Sequence, residues 1–407
     1  MENRNKSVLL VAYGGGHVSM LAPIAVELIK SGISVQFLAL TTARTVIERL
    51  GISCIGFSDF PESDHPDVVR WGKELAAGLP VGGPVPLRET IAYLGVNFRD
   101  LLNECGEAEA RRRYAALGRH AFLPVATMRK LIERVAPDVV VATNSPRAER
   151  AAILAAGTLE ISSVCVVDLF AIQEVQWIGQ HGYASRVCVL NDAVRNMFLS
   201  HGRKPEEVVV TGNPAFDRLT DPKTISAGVQ LRKSRGWNDG RKVVLWASQI
   251  EPEQHPFADL SGDPTLPRRV EQALRQLVAE DETLRLVVRY HPSERVDFDP
   301  GIRVDFSPVS EPIAALLHAV DVVVVTASTV GLEAAIAGRP VISVDNSIFT
   351  PDTSYSSMGV SRGVTDLKDL GVALKEALAG VGPSFAQGQS GKTAMQAILQ
   401  VIDSLLV

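Results

Sequence analysis

The segment over residues 320–344 constrains the fold of this chain more than any other part of the sequence. Residues 320–325 contain five valines, which is typical of a fully buried parallel strand. A turn rich in hydroxyl groups follows, then a helical pattern that ends at Gly338, and then a second apolar run. A strand, a helix and a second strand in this order predict a parallel sheet covered by helices.

The same alternation recurs through most of the 407 residues. A chain of this length is expected to form two domains. We predict an α/β fold with two Rossmann-like doubly wound domains, residues 1–219 and 220–390, which face each other across a cleft. Residues 391–407 are predicted to form a C-terminal helix, and its return to the first domain is one option. Residues 61–121 are richer in Pro, Gly and charge, which favours helical insertions or lids.

Ser328 and Thr329 fall at the predicted start of the helix in the 320–344 segment. Backbone N–H groups lack intrahelical partners there, and the helix dipole gives that end roughly half a positive charge. A diphosphate is therefore expected to bind at this turn. Glu333 lies one turn further along the same face, where its carboxylate could accept hydrogen bonds from two ribose hydroxyl groups. The alternative is simple capping of the helix, with Glu333 as a solvated surface acid.

A glycine-rich turn, which includes Gly15 and Gly16, follows the first predicted strand and leads into His17. Glycines let the backbone approach a bound group closely, so we expect this turn to contact the donor. An unperturbed imidazole has a pKa of about 6.5, which suits His17 as a general base or as a donor to phosphate. The alternative is a histidine that is hydrogen-bonded within the turn. The motif is not GxGxxG, which makes a nicotinamide cofactor unexpected.

Two further strand ends in the second half carry polar groups. The strand that contains Arg289 runs directly into His291 and Pro292, and the strand before it ends in Ser248 and Gln249. Because the carboxyl ends of parallel strands meet at one sheet edge, all five residues are candidate donor ligands. Arg289 could instead pack on the alternate face of its strand, and His291 could cap a neighbouring helix.

In the first half, Asn144, Ser145 and Asp168 also follow apolar strands. The polar side chains of Asn144 and Ser145 are candidates to hold the hydroxyl groups of an acceptor. Asp168 is a second candidate base, although a turn-forming aspartate is an equally good interpretation. Asn213, in Gly212-Asn213-Pro214, is interpreted as mainly architectural.

Taken together, these blocks resemble the two-domain glycosyltransferase architecture called GT-B. Residues 14–17 resemble the glycine-rich loop of the peptidoglycan N-acetylglucosaminyl transferase family, and residues 328–333 with 337–341 resemble its donor-binding segment. The resemblance implies that Ser328, Thr329 and Glu333 hold the diphosphate and ribose of a nucleotide sugar. His291-Pro292 with Ser328-Thr329 also resembles the paired motifs of bacterial sialyl and Kdo transferases, which use CMP-sugars.

Residues 210–217 are similar to a segment of the UDP-N-acetylglucosamine 2-epimerases, which share the fold. Their His-Arg-Arg-Glu-Asn block has no counterpart near Ser248, where Gln249-Ile-Glu-Pro-Glu stands instead. Their Asp-Ser-Gly-Gly donor turn is replaced by Thr326-Ala-Ser-Thr. Epimerisation is therefore the second hypothesis rather than the first.

The sequence thus predicts a glycosyltransferase that moves a sugar from a nucleotide-sugar donor to an acceptor hydroxyl in glycan or glycolipid synthesis. A UDP-sugar is favoured and a CMP-sugar is the alternative. A sensor that binds a nucleotide sugar without turnover is a third hypothesis. The helix dipole and His291 would neutralise the leaving diphosphate, so we expect no metal and no cofactor beyond the substrate itself.

Composition limits the partners. The net charge of −5 gives no general attraction to nucleic acid. Four cysteines without CxxC spacing suit a reducing cytosol, and no run approaches the ~18 apolar residues of a membrane span. A cytoplasmic location is therefore expected. The cluster Arg111-Arg112-Arg113 is interpreted as a solvated helix face, with weak contact to the inner face of the membrane as the alternative. The oligomeric state is left open.

Overall fold

The computed structural model describes residues 6–80, 82–256, 258–353, 355–388 and 391–406. The chain divides into two compact units, Met1–Ala215 with Gln387–Val407, and Phe216–Ala386. We call them unit 1 and unit 2. Each is an α/β body with its own parallel sheet.

Unit 1 contains seven strands, all parallel to their neighbours, in the order β3-β2-β1-β4-β5-β6-β7. The strands are β1 (Ser7–Ala12), β2 (Ser34–Ala39), β3 (Cys54–Ile55), β4 (Val139–Ala142), β5 (Ser162–Val166), β6 (Arg186–Val189) and β7 (Val208–Val210). The helices are α1 (Gly16–Lys30), α2 (Ala43–Arg49), α3 (Pro66–Ala76), α4 (Leu87–Cys105), α5 (Glu107–Leu117), α6 (Val125–Val135), α7 (Ala148–Thr158), α8 (Val175–Ile178) and α9 (Asp192–Ser200).

The central strands of unit 1 are apolar because helices cover both faces of the sheet. All four residues of β4 are fully buried. The last helix of the chain, α16 (Ala394–Asp403), belongs to this unit and packs against α1. Its buried side chains Ile398 and Ile402 join the core beneath β1 and β2. Burial of each such side chain contributes about 2 kcal/mol to folding.

Unit 2 contains six strands, also parallel throughout, in the order β10-β9-β8-β11-β12-β13. The strands are β8 (Lys242–Ala247), β9 (Leu284–Arg289), β10 (Val304–Phe306), β11 (Val322–Val325), β12 (Val341–Val344) and β13 (Arg362–Val364). The helices are α10 (Pro222–Ser234), α11 (Leu266–Glu280), α12 (Ile313–Ala319), α13 (Thr329–Ile336), α14 (Thr350–Thr353) and α15 (Leu370–Leu378). The valines of β11 are fully buried, as the sequence predicts for a central strand.

The segment over residues 61–121 forms α3, α4 and α5, which confirms the prediction of a helical insertion. Helices α3 and α4 approach closely because each has a glycine at the contact. A Cβ added at Gly72 would lie 2.1 Å from the carbonyl oxygen of Ile91, and one at Gly95 would lie 2.0 Å from that of Val68. The aromatic side chains of Trp71 and Phe98 pack nearby, with ring centroids 5.1 Å apart.

The three consecutive arginines of α5 each form ion pairs with glutamates, which matches the solvated helix face expected from the sequence. Their partners are Glu74 and Glu107 for Arg111, Glu109 for Arg112, and Glu104 and Glu109 for Arg113. Across the described ranges, no helix has the length and apolar character needed to cross a membrane.

Candidate active site

The carboxyl edge of the unit 1 sheet carries a buried polar network centred on Glu149. This residue lies in the first turn of α7 and is fully buried. Its carboxylate accepts hydrogen bonds from the backbone N–H of Tyr13 (2.7 Å) and from that of Ser145 (2.8 Å). The Thr143 hydroxyl donates to the same carboxylate. A charge this deeply buried requires such donors, because it would otherwise be too costly to desolvate.

His17 completes the network. It is the second residue of α1, which begins at Gly16, earlier than the helical pattern at residues 20–30 indicates. Its Nδ1 lies 3.2 Å from Oε2 of Glu149 and also contacts the Thr143 hydroxyl. The side chain is 24% exposed, and its Nε2 has no hydrogen bond to any described residue. The ring is therefore oriented through one nitrogen and keeps the other for a ligand.

The ion pair sets the protonation state of His17. Burial of the imidazole disfavours its charged form, but the charge and hydrogen bond of Glu149 outweigh burial and raise the pKa of His17 to about 9. Asp168 adds to the increase. Burial opposes ionisation of Glu149 as well, yet His17 and the surrounding donors hold its pKa below the usual range. The pair is thus ionic at neutral pH in the ligand-free protein.

Asn144 and Asp168 form a second cluster at the same edge. The Asn144 side chain donates to Oδ1 of Asp168 (3.0 Å) and accepts from the Asp168 backbone N–H (3.0 Å). Asn213 donates to the Asp168 carbonyl oxygen at 2.6 Å, so it ties the end of β7 to the end of β5. These contacts fit the architectural interpretation of Asn213, and they show that the Asp168 carboxylate already caps its own turn through Leu169 N–H (2.7 Å).

The glycine-rich turn owes its shape to two of its residues. Gly15 has a φ of 71° and precedes the first residue of α1, a conformation that favours glycine. A Cβ added at Gly14 would lie 1.8 Å from the Thr42 hydroxyl oxygen, so a side chain there would require Thr42 to move. Gly16 has open space where a Cβ would lie. A direct contact of Gly15 or Gly16 with the donor stays a prediction.

In unit 2, the predicted start of the helix after β11 is confirmed. Ser328 is the N-cap of α13, and its hydroxyl accepts the Val330 N–H at 3.4 Å. Thr329 is exposed at the first helical position. Tyr355 lies against this turn, where its hydroxyl donates to the Ser328 carbonyl oxygen (2.9 Å). The turn is therefore fixed from one side, while the Thr329 side chain stays accessible.

Glu333 lies one turn into α13 and is not the solvated surface acid of the alternative interpretation. It is 9% exposed, and burial raises the pKa of its carboxyl group against the opposing charges of Arg218 and Arg289. Nη2 of Arg218 donates to its Oε2 at 3.3 Å. Arg218 is mostly exposed, with 60% of its side chain accessible. The carboxylate is thus held by a cation that a ligand could displace.

The remaining predicted donor ligands are mostly engaged within unit 2. Arg289 donates to Ser307 and to the carbonyl oxygens of Pro308, Val309 and Glu311, which matches the packing alternative. The Ser248 hydroxyl and the backbone N–H of His291 both donate to the Glu294 carboxylate (3.0 and 2.7 Å). Gln249 donates to the Ser347 hydroxyl at 3.4 Å. His291 and Pro292 are exposed, and among the described residues the imidazole accepts only the Ser293 N–H, at Nδ1.

Sequence reasoning missed Glu149 and Arg218. For Glu149 a signal was present, because an acid in the first turn of a helix after the strand at 139–142 belongs to the same sheet edge as His17. No local sequence pattern could predict the contact of Arg218 with Glu333, since the two residues are 115 positions apart. The structure brings together His17, Asn144, Ser145 and Asp168 in unit 1, and Glu333 with Arg289 in unit 2.

No protein family model matches the chain, and no curated protein matches it. Solved structures do. A putative UDP-N-acetylglucosamine 2-epimerase from Listeria monocytogenes is 16% identical, with 98% of this chain and 96% of that chain covered and a TM-score of 0.57. The UDP-GlcNAc 2-epimerase from Neisseria meningitidis bound to UDP-GlcNAc is 14% identical, with 98% and 99% covered and the same TM-score. The glycotransferase of kitacinnamycin is 12% identical, with 99% and 95% covered and a TM-score of 0.51.

At these identities the likeness shows the fold alone. The chain has a GT-B-like fold built from two parallel-sheet α/β domains, as the sequence predicts. Both epimerases and a glycotransferase are built on this fold, so the fold by itself does not choose between the two activities.

Proposed function

We propose that the protein is a glycosyltransferase that uses a nucleotide-sugar donor, with a UDP-sugar favoured over a CMP-sugar. The observation that carries the proposal is the His17–Glu149 pair at the carboxyl edge of the unit 1 sheet. A histidine whose second nitrogen is oriented by a buried carboxylate is suited to take a proton from an acceptor hydroxyl. The UDP-GlcNAc bound to the Neisseria protein of the same fold supports a UDP-sugar as donor.

The donor binds at the turn before α13. Ser328 and Thr329 receive the diphosphate, where the helix N-terminus offers backbone N–H groups and a positive potential. Glu333 exchanges Arg218 for the ribose hydroxyl groups. His291 lies at the end of β9, two strands away from β11 at the same sheet edge, and contributes a further donor to phosphate.

We infer the following reaction from the roles proposed for these residues. The acceptor hydroxyl gives its proton to Nε2 of His17, and the acceptor oxygen forms a bond to the anomeric carbon of the sugar. The bond between that carbon and the phosphate oxygen breaks, and the electron pair leaves with the nucleotide. Positive potential at the α13 N-terminus stabilises this leaving group. His17 must be neutral to accept the proton, so the reaction requires acceptor binding or raised pH to release the proton that its raised pKa implies in the free protein. Asn144 and Ser145 hold the acceptor, and Asp168 is the second candidate base.

Epimerisation is the second candidate, because two of the similar solved structures are UDP-GlcNAc 2-epimerases matched over almost their whole length. The chain lacks the His-Arg-Arg-Glu-Asn block near Ser248, and the corresponding Gln249 and Glu251 instead brace the loop at Ser347. Because Gln249 and Glu251, in the loop after β8, are hydrogen-bonded within unit 2, we favour transfer over epimerisation.

The experiment that separates these activities is incubation with a panel of UDP- and CMP-sugars, with and without lipid and glycan extracts. A transferase releases nucleotide and consumes sugar only when acceptor is present. Appearance of UDP-N-acetylmannosamine from UDP-N-acetylglucosamine alone would establish the epimerase. Nucleotide binding without any turnover, checked by calorimetry, would identify a sensor and contradict the proposal.

A further inference from the structure

The helical insertion of unit 1 borders an open cavity of about 790 Å³. Most of its wall comes from the C-terminal end of α3, from residues 79–80 and 82–86, and from the start of α4. Ligand sites for molecules of drug size span roughly 300–1,000 Å³, so the cavity is large enough for one. The proposal for His17 does not use this space.

The wall of the cavity is mainly apolar. Ala77, Leu79 and Leu87 line it, and Leu87 is 65% exposed. The one acid in the wall, Glu89, is buried and accepts the backbone N–H groups of Phe57 (2.8 Å) and Ser58 (2.9 Å). The Glu89 carboxylate is thus held by backbone N–H groups of the turn after β3.

The two cationic side chains of the wall lack such hydrogen-bonding partners among the described residues. Lys73 and Arg119 both line the cavity and are exposed. Within the part of the chain that the structure describes, neither side chain has an ion pair or a hydrogen bond. The wall is apolar, its two cationic side chains have no protein partner in the described ranges, and its one carboxylate is held by backbone N–H groups. This combination is complementary to an apolar molecule that carries a negative charge.

Two contacts connect this cavity to the His17 network. Thr41 lines the cavity, and the next residue, Thr42, lies against Gly14 in the glycine-rich turn. Tyr93 also lines it, and its hydroxyl accepts a hydrogen bond from Arg147 at 3.2 Å. The Arg147 guanidinium in turn lies over the ring of Tyr13, 4.8 Å from its centroid, and the Tyr13 N–H binds Glu149. The cavity therefore adjoins the edge of the sheet at which His17 lies.

We propose that this cavity binds the acceptor, and that the acceptor is an apolar, anionic amphiphile rather than a glycan. The inference rests on the proposed transferase, because it assigns the cavity to the molecule whose hydroxyl faces His17. Apolar surface of the acceptor packs between α3 and α4, and its carboxylate or phosphate pairs with Lys73 and Arg119. Most of the lining side chains offer no hydrogen bond to a sugar hydroxyl group, which favours an apolar acceptor over a glycan.

The test uses anilinonaphthalene sulfonate, an apolar anion that fluoresces when bound, as the probe on the full chain. We expect saturable binding at one site and displacement by dodecanoate or dodecyl phosphate, but not by chitotriose. Dodecanol, which lacks the charge, should compete about fivefold less well than dodecanoate, and Lys73→Glu should remove that difference. A comparison of displacement by dodecanoate and by dodecyl phosphate shows whether the site prefers a carboxylate or a phosphate.

Two matched pairs of variants locate the site. Ala77→Trp should fill the cavity and weaken probe binding at least tenfold, whereas Ala116→Trp, exposed on α5 and outside the wall, should not. Lys130→Glu is the matched control for Lys73→Glu, since Lys130 is exposed on α6. Thermal unfolding of each variant shows that it is folded.

Calorimetry with UDP and with CMP on the same samples distinguishes the two proposals. A protein that binds dodecanoate in the cavity but no nucleotide supports the cavity assignment and contradicts the transferase. The inference is overturned if the protein binds UDP but Ala77→Trp leaves the affinity for the probe unchanged. It is also overturned if the protein binds UDP but chitotriose, and not dodecanoate, displaces the probe. The proposed transferase is not contradicted by either result.

Discussion

The two units have the same kind of sheet edge but use it differently. At the edge of unit 1, polar side chains converge on one buried carboxylate, Glu149, and create a histidine with a strongly raised pKa. At the edge of unit 2, most polar side chains brace neighbouring loops, as Arg289 and Gln249 do. What unit 2 leaves accessible is a helix N-terminus and the exposed residues Thr329 and His291.

The two edges are suited to different kinds of chemistry. A buried, charge-coupled network costs desolvation and is useful where a proton must be held at a defined atom. A helix N-terminus offers a fixed partial charge with no proton to exchange, which suits a phosphate group. Under the proposed function, unit 1 supplies the proton chemistry and unit 2 supplies the anion site.

The largest expected effect concerns the pKa of His17. In NMR pH titration of the free protein, the His17 imidazole should titrate near 9, and Glu149→Gln should shift its pKa down by roughly 2 units or more, because burial then acts without the compensating charge. The signal is assigned by its loss in His17→Ala. Transfer activity should rise between pH 7 and 9 in the wild type, since only neutral His17 accepts a proton.

The same ion pair affects stability, and the sign follows from the raised pKa. The folded protein holds the proton more tightly than the unfolded chain, whose imidazole titrates near 6.5. The contribution of His17 is therefore complete below pH 6.5 and is lost as the pH rises towards 9. A His17 titration at or below 6.5 in the wild type would contradict the ionic pair and remove the contrast between the two edges.

A smaller effect is expected at the helix start in unit 2. Ser328→Ala removes a cap and should lower the free energy of unfolding by about 1 kcal/mol. It should also weaken UDP binding about tenfold in calorimetry, because a hydrogen bond to the charged diphosphate is lost. Thr393→Ala is the matched control, since Thr393 caps α16 in unit 1 through the Gln396 N–H. Equal UDP affinity in both variants would show that Ser328 is only a cap.

The smallest effect is expected at Arg218. The exposed Arg218 side chain forms an ion pair with the Glu333 carboxylate. Arg218→Ala should free this carboxylate and strengthen UDP binding about two- to fivefold at pH 8. Arg235→Ala, which breaks the Glu311 pair elsewhere in unit 2, is the control. Weaker binding in Arg218→Ala would mean that Arg218 positions Glu333 for the ligand instead of competing with it.

Much of the fold was accessible from local sequence. The valines of 322–325 predicted a buried central strand, and Ser328 predicted the start of α13, because strand burial and capping depend on near neighbours in the chain. Helix α1 begins at Gly16, directly after the positive φ of Gly15 and before the helical pattern at residues 20–30.

The candidate site was accessible only in part. His17, Asn144 and Asp168 were found as polar residues at strand ends, but the carboxylate that links His17 to Ser145 was not. Glu149 is 132 residues from His17, and no local pattern reports a contact at that separation. The same holds for Arg218 and Glu333.

The sequence by itself determined the class of this protein: two parallel α/β sheets, with polar groups gathered at the carboxyl ends of their strands. These features are set by short-range periodicity, turn chemistry and helix caps. Tertiary structure decided which polar groups are free and which are already bound, and what charge His17 carries. Those properties depend on burial and on partners far away along the chain, which the order of residues alone does not specify.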